Sequence, residues 1–142
     1  IKIKKINDFY KNVLKKKPKF AITGLNPHCE SFIGENKEKK EIIPAIRYLK
    51  RNKINIKGPY ASDTIFLKKN LREFDVIFGM YHDQVLGPIK TLHGFKAINI
   101  TLGLPFLRIS PDHGPNTQML GKNKSDPSSL IESLRFLRDN AS

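Results

Sequence analysis

The chain has 142 residues, 39% of them hydrophobic, and its 26 Lys and Arg stand against 13 Asp and Glu for a net charge of +13. That apolar share belongs to folding material rather than a charged tail, and the length suits a single α/β unit over residues 1–142. No run reaches the ~18 to 20 apolar residues of a bilayer span, and the opening IKIKKINDFY lacks an export signal's unbroken apolar stretch, so no membrane partner is expected and the cytoplasm is the expected location. A single cysteine, Cys29, rules out an internal disulfide and a cage of several thiolates. A chain that begins at Ile1 inside a helical pattern also reads as part of a longer protein.

Residues 1–20 carry eight lysines against Asp8, while Ile3, Ile6, Phe9, Tyr10, Val13 and Leu14 recur at three- and four-residue spacings. The spacing predicts an amphipathic helix, lysines on its wet side, stopped near Pro18. Phe20 to Leu25 reads as a buried strand, Lys37 to Lys53 as a helix with Ile42, Ile43, Ile46 and Leu49 inward, and Ile54 to Lys57 as a short strand. Ser62 is placed to cap a helix running through Leu71. Asp75 to Met80 and Ala97 to Leu102 read as strands, and Ser125 as the cap of a last helix with Asp126 and Pro127 in its first turn and Leu130, Leu134 and Leu137 on one face. Alternating strands and helices predict an α/β layered fold with helices over a sheet.

In such folds ligands gather beyond the carboxyl ends of strands. Three polar segments fall there: Gly24-Leu25-Asn26-Pro27-His28, Tyr81-His82-Asp83-Gln84, and the stretch from Gly103 through Arg108 to Asp112-His113-Gly114. Neutral imidazoles from separate loops can meet around a divalent ion without a short motif, although 54 residues between His28 and His82 carry no metal signature by themselves. His93 reads as a turn residue, and Cys29 as a small buried hydrophobe rather than a soft ligand. Lys90, Asn99 and Arg108 make an anion-binding set if their segments converge. Asn99 inside an apolar strand and Arg108 after the apolar run Leu104 to Leu107 would be costly without partners. Asp63 reads either as a first-turn helix acid or as a proton-handling carboxylate, and Asp83 as a group that could orient the neighbouring imidazole. No G-x-G-x-x-G is present.

These segments resemble the 4-hydroxythreonine-4-phosphate dehydrogenase family of vitamin B6 biosynthesis. The likeness rests on Gly24 to His28, Glu41-Ile42-Ile43-Pro44, Gly58-Pro59 with Ser62-Asp63-Thr64 and Phe66, Met80 to Gln84, Asn99 to Phe106, and Asp112-His113-Gly114, in the family's order and near its spacing. It covers nearly the whole chain and only the carboxyl-terminal part of the family's length. The resemblance implies an isocitrate/isopropylmalate-dehydrogenase-like layered fold and a homodimer with the active site at its interface. It also implies NAD as cofactor and a divalent metal ion (Zn, Mg, Co or Mn) bound by His28, His82 and a third histidine outside this chain. Lys90, Asn99 and Arg108 match substrate-binding positions; Asp112, His113 and Gly114, followed by Gly121 and Lys122, match the loop contacting the adenosine half of NAD, where Gln118 would reach a ribose hydroxyl. Asp63 or Asp83 would handle protons or orient the histidines.

The implied reaction oxidises 4-phosphooxy-L-threonine to 2-amino-3-oxo-4-phosphooxybutanoate, which decarboxylates to 3-amino-2-oxopropyl phosphate on the route to pyridoxal 5'-phosphate. Two departures stand out. Cys29 to Gly34 replaces the family's Ala-Gly-Glu segment, and Pro115, Asn116 and Gln118 stand where the family has Thr-Ala and an acid, leaving a neutral amide for a ribose hydroxyl. The nearest rival is a sister enzyme acting on threonate or erythronate 4-phosphate. A basic nucleic-acid-binding module would use the positive charge but leaves His28, His82, Asn99 and Arg108 without a purpose.

Overall fold

A computed structural model describes residues 2–29, 36–115 and 117–140. The chain forms two compact units, Ile1–Pro88 and Ile89–Ser142, where the length alone suggested one.

In the first unit α1 covers Lys2–Asn12. It stops short of Pro18 because Lys15 adopts a left-handed φ of 54°, and the Lys16 amide then donates back to the Tyr10 carbonyl at 3.0 Å. Strand β1 (Phe20–Thr23) is buried along its whole length. A π-helical turn, Glu38–Ile42, runs into α2 (Ile43–Arg51), so the predicted helix is present with Ile42, Ile46 and Leu49 buried. Strand β2 is Ile56–Tyr60 and β3 is Val76–Phe78. Their order is β2-β1-β3, all parallel, with Phe20 level with both Ile56 and Val76. The core packs α1 and α2 on this sheet through Ile3, Phe20, Ile22, Ile42, Ile46, Leu49, Ile54 and Ile56.

The helix predicted from Ser62 to Leu71 shrinks to α3 at Lys68–Leu71. Thr64 explains the loss. Its carbonyl accepts from the Leu67 amide at 3.1 Å and the Asn70 side chain at 2.9 Å, and Leu67 is extended (ψ 144°), so no continuous ladder forms. Ser62 caps nothing there, and the turn is held by Ile65, which is fully buried.

Helix α4, Asp83–His93, was not expected, because Gly87 and Pro88 argue against a helix. Pro88 lies inside this helix, where it supplies no amide to the Gln84 carbonyl one turn back and its ring crowds that carbonyl. His93 closes this helix instead of sitting in a turn.

In the second unit β4 (Ile98–Thr101) and β5 (Arg108–Pro111) form an antiparallel hairpin, and α5 (Ser128–Asn140) packs on both strands. Strand β5 was also unexpected: Arg-Ile-Ser-Pro has little strand character apart from its pairing. The cap of α5 is Asp126 rather than Ser125, its carboxylate accepting the Ser128 amide at 2.8 Å. The Ser128 side chain first, and then its amide, hold the Asp126 carboxyl below the usual carboxylate range. The Leu130-Leu134 face, read as the apolar stripe, lies outward at 51% and 58% exposure, and the helix buries Ser129 and Ser133 instead. Ser129 donates to the Ala97 carbonyl at 2.5 Å and accepts the Asp112 amide at 3.0 Å, so α5 approaches the hairpin through hydrogen bonds.

Ile56→Ala is expected to cost about 2–5 kcal/mol, and Leu134→Ala to stay within about 0.5 kcal/mol, both read by chemical denaturation. Equal losses would contradict the burial described.

Candidate functional site

Because β2, β1 and β3 are parallel, their carboxyl ends lie along one edge of the sheet. The loop after β1 carries His28, the turn after β2 carries Asp63, and the segment after β3 carries His82 and Asp83. All four are exposed. Sequence reasoning thus placed its first-unit candidates on a common edge, with the two histidines following directly paired strands.

The loop bearing His28 is tightly specified. Asn26 donates its amide to the buried Glu38 carboxylate at 2.6 Å, and its side-chain oxygen accepts the His28 amide at 2.9 Å. A Cβ on Gly24 would lie 2.6 Å from the Cys29 sulfur and 3.1 Å from the Asn26 carbonyl, so a larger residue there would displace the thiol. Gly79 is constrained alike by Val85 at 2.6 Å. Between the loops stands Gln84, whose Oε1 accepts from the Thr23 hydroxyl at 2.7 Å and the Met80 amide at 2.8 Å, while Nε2 donates to the Gly24 carbonyl at 2.9 Å.

Cys29 is half-buried, and desolvation first, then the Glu38 and Asp63 charges, push its thiol up, against the pull of a hydrogen bond from Gly24. A thiol kept protonated makes a poor metal ligand, in keeping with the small-hydrophobe reading. Asp83 begins α4 as a first-turn acid, and its carboxylate makes no hydrogen bond to His82 among the described residues. The departures at residues 30–34 and Asn116 lie outside the described residues.

In the second unit the register puts Asn99 opposite Ser110 and Thr101 opposite Arg108. Opposed residues of an antiparallel pair share a face, so these four polar side chains line one side of the hairpin and Ile98, Ile100 and Ile109 the other. Asn99 and Arg108 are exposed, so no burial cost attaches to them, unlike the expectation. Arg108 Nη1 donates to Thr101 Oγ1 at 2.8 Å, which leaves most of the guanidinium for another acceptor. The half-buried Lys90 ammonium is held by Asp112, through a 3.0 Å ion pair to the carboxylate and a hydrogen bond to its carbonyl. His113 Nδ1 donates to the Gly114 carbonyl at 3.0 Å. A cavity of about 550 Å³ is lined by His113 and Gly114 with Phe95, Pro115, Met119 and Lys124. Asp112 and Gln118 are not in its lining.

Sequence reasoning missed Thr23, Glu38 and Gln84 in the first unit and Thr101, Ser110 and Ser129 in the second. Glu38 had a signal: it falls one turn before Ile42 and two before Ile46 on an apolar helix face, where a lone charge needs a partner.

Comparison with known proteins follows these features closely. The family model described as "Pyridoxal phosphate biosynthetic protein PdxA" matches residues 1–137. The chain belongs to this family. A 4-hydroxythreonine-4-phosphate dehydrogenase of Sulfurihydrogenibium sp. (strain YO3AOP1) is 49% identical over 122 residues, covering 84% of this chain and 37% of that protein. A D-threonate 4-phosphate dehydrogenase of Cupriavidus necator is 39% identical over 120 residues, covering 83% of this chain and 36% of its own length. The crystal structure of the 4-hydroxythreonine-4-phosphate dehydrogenase from Klebsiella pneumoniae superposes with a TM-score of 0.78 at 29% identity, over 96% of this chain and 42% of the other. The chain therefore shares the α/β fold of PdxA dehydrogenases and spans about two fifths or less of these relatives' lengths. Among the described residues no helix is long and apolar enough to cross a membrane.

Alkylation of Cys29 by iodoacetamide should accelerate at a higher pH than that of an ordinary free thiol, since the thiolate is disfavoured. A mass-spectrometric rate profile centred on the free-thiol value would contradict the desolvation described.

Proposed function

We propose that this chain furnishes metal-holding and substrate-anchoring groups of an NAD-dependent dehydrogenase that oxidises 4-phosphooxy-L-threonine to 2-amino-3-oxo-4-phosphooxybutanoate, which then loses carbon dioxide. The enzyme works as a homodimer in the cytoplasm. The observation that carries this reading is the pair of exposed imidazoles, His28 and His82, on loops leaving two hydrogen-bonded parallel strands within a chain of the PdxA family.

The donor chemistry suits a divalent ion, since neutral imidazole nitrogens are ligands for the metals that serve such enzymes. The described residues contain no group of three or more His, Cys, Asp or Glu able to hold a metal ion. On this reading His28 and His82 are two donors of a larger ligand set. The cavity beside His113 and Gly114, mostly apolar with a few polar groups, suits the adenosine end of NAD. When bound, the ion would withdraw charge from the substrate oxygen and NAD would accept the hydride.

The chain's own residues bind and orient. Arg108, steadied by Thr101, offers a guanidinium fork to a phosphate or carboxylate, and Asn99 on the same face adds a neutral donor. Lys90 has three N–H groups; with two directed at Asp112, one remains for the substrate's other anionic end. Holding both ends fixes the carbon that gives up hydride. A proton from the oxidised hydroxyl passes to a carboxylate, Asp63 or Asp83, each in a segment that follows a strand of the parallel sheet.

The Cupriavidus relative supports a second reading, oxidation of D-threonate 4-phosphate, which differs at the substituent beside the carboxylate. A panel of 4-phosphooxy-L-threonine and D-threonate 4-phosphate with NAD separates the two. In the enzyme that carries this chain, His82→Ala should lower turnover by more than about 100-fold, beyond the loss of a supporting hydrogen bond. Arg108→Ala should raise KM by about 10- to 100-fold, the effect of a charge-assisted bond of roughly 1.5–3 kcal/mol. Activity near the parent's after His82→Ala would remove that residue from the site.

A further inference from the structure

We infer that Thr23 and Gln84 are positioning residues that set the separation of the His28 and His82 loops. The inference rests on the metal-holding role proposed for those histidines and adds the groups that orient them. Thr23 is the last residue of β1 and fully buried; Gln84 is the second residue of α4. One carboxamide bridges both loops. Its oxygen takes the Met80 amide at 2.8 Å and the Tyr81 amide at 3.3 Å, the two residues before His82, and its nitrogen donates to the carbonyl of Gly24 at 2.9 Å, at the start of the His28 loop. The Thr23 hydroxyl donates to the same oxygen at 2.7 Å and accepts from the Met80 amide at 3.3 Å. Two backbone donors on one side and a backbone acceptor on the other fix which way the amide points, since a flipped Gln84 would face N–H to N–H and oxygen to oxygen.

A parallel pair has no turn joining its carboxyl ends, so the distance between two such loops is set by whatever crosses between them. Here that crossing is side-chain hydrogen bonding, and Glu38 pins the far side of the His28 loop through the Asn26 amide at 2.6 Å. Groups that orient metal ligands without touching the ion typically govern affinity by about 10- to 100-fold.

The test is Co(II) titration of the enzyme that carries this chain, followed by the visible ligand-field band, with melting temperatures alongside. Thr23→Val removes the hydroxyl at constant shape, Gln84→Met removes the amide at near-constant volume, and Thr23→Ser keeps the hydroxyl. Thr23→Val and Gln84→Met should each weaken Co(II) by about 10- to 100-fold and shift its band, while Thr23→Ser binds as the parent does. Parent-like affinity and band in both Thr23→Val and Gln84→Met, with binding lost in His82→Ala, would overturn the positioning role and leave the metal reading standing. Unchanged Co(II) binding in His82→Ala would overturn the metal reading and the positioning role together. Should Gln84→Met fail to fold, the contrast between Thr23→Val and Thr23→Ser decides alone.

Discussion

The carboxamide of Gln84 is the constraint on which the candidate edge depends. Strands β1 and β3 are held side by side by their ladder only as far as Ile22 and Phe78. Beyond that point the two strands no longer bond each other, although the Gly24 amide still bonds the Tyr60 carbonyl of β2 at 3.0 Å. An unpaired backbone group in a partly buried place costs about as much as a lost hydrogen bond. Gln84 removes that cost for Gly24, Met80 and Tyr81 at once, and the buried Thr23 hydroxyl closes the network. Among the described residues no buried side-chain nitrogen or oxygen lacks a partner. Fully satisfied polar networks in a low-dielectric setting rigidify what they join.

The two units are held together by different physics. In the first, apolar side chains from two helices close over a parallel sheet, and the fully buried Phe20 and Ile56 dominate. In the second, no apolar side chain among the described residues is fully buried, and Ser129 and Ser133 are the buried residues. Ser129 ties α5 to the start of β4 and to the segment following β5 in two hydrogen bonds, 2.5 and 3.0 Å long. A small hydroxyl makes the close approach possible, where a leucine would hold the helix away. Apolar residues of α5 are left outward as a consequence.

Much of the first unit was legible because its signals are local and mutually consistent. Phe20 to Thr23, the helix around Ile46 and Leu49, and the strand near Val76 follow from unbroken apolar runs or a period near 3.6. The misses share a cause. Helix α4 carries Gly87 and Pro88, and β5 carries serine and proline, so each exists through tertiary partners that outweigh its own propensity. The end of α1 turns on one left-handed lysine, which no composition rule marks. At the site, histidines and the arginine are legible because their chemistry is distinctive. Thr23 and Gln84 are not, because an amide and a hydroxyl gain a role only from what stands opposite them. Asn99 and Arg108 were chosen for a cost of burial they do not incur; the better reason lies in the hairpin register, which sets both on one polar face.

Lys90 and Asp112 add a last step. On the proposed reading, one belongs to the substrate's anionic end and the other to the segment beside the cofactor cavity, yet they are paired directly at 3.0 Å. On that reading an incoming carboxylate or phosphate takes the remaining N–H and shares the ammonium with Asp112. Asp112 is anchored independently through its amide on Ser129, so its backbone stays in place when the ammonium is shared. The lysine is thereby aimed before any substrate arrives, and less side-chain freedom is lost when it binds. A solvent-exposed pair is weak enough to yield, and this pair is only partly buried. On the proposed reading, Asp112 holds two of the ammonium's N–H groups and leaves the third directed for a ligand.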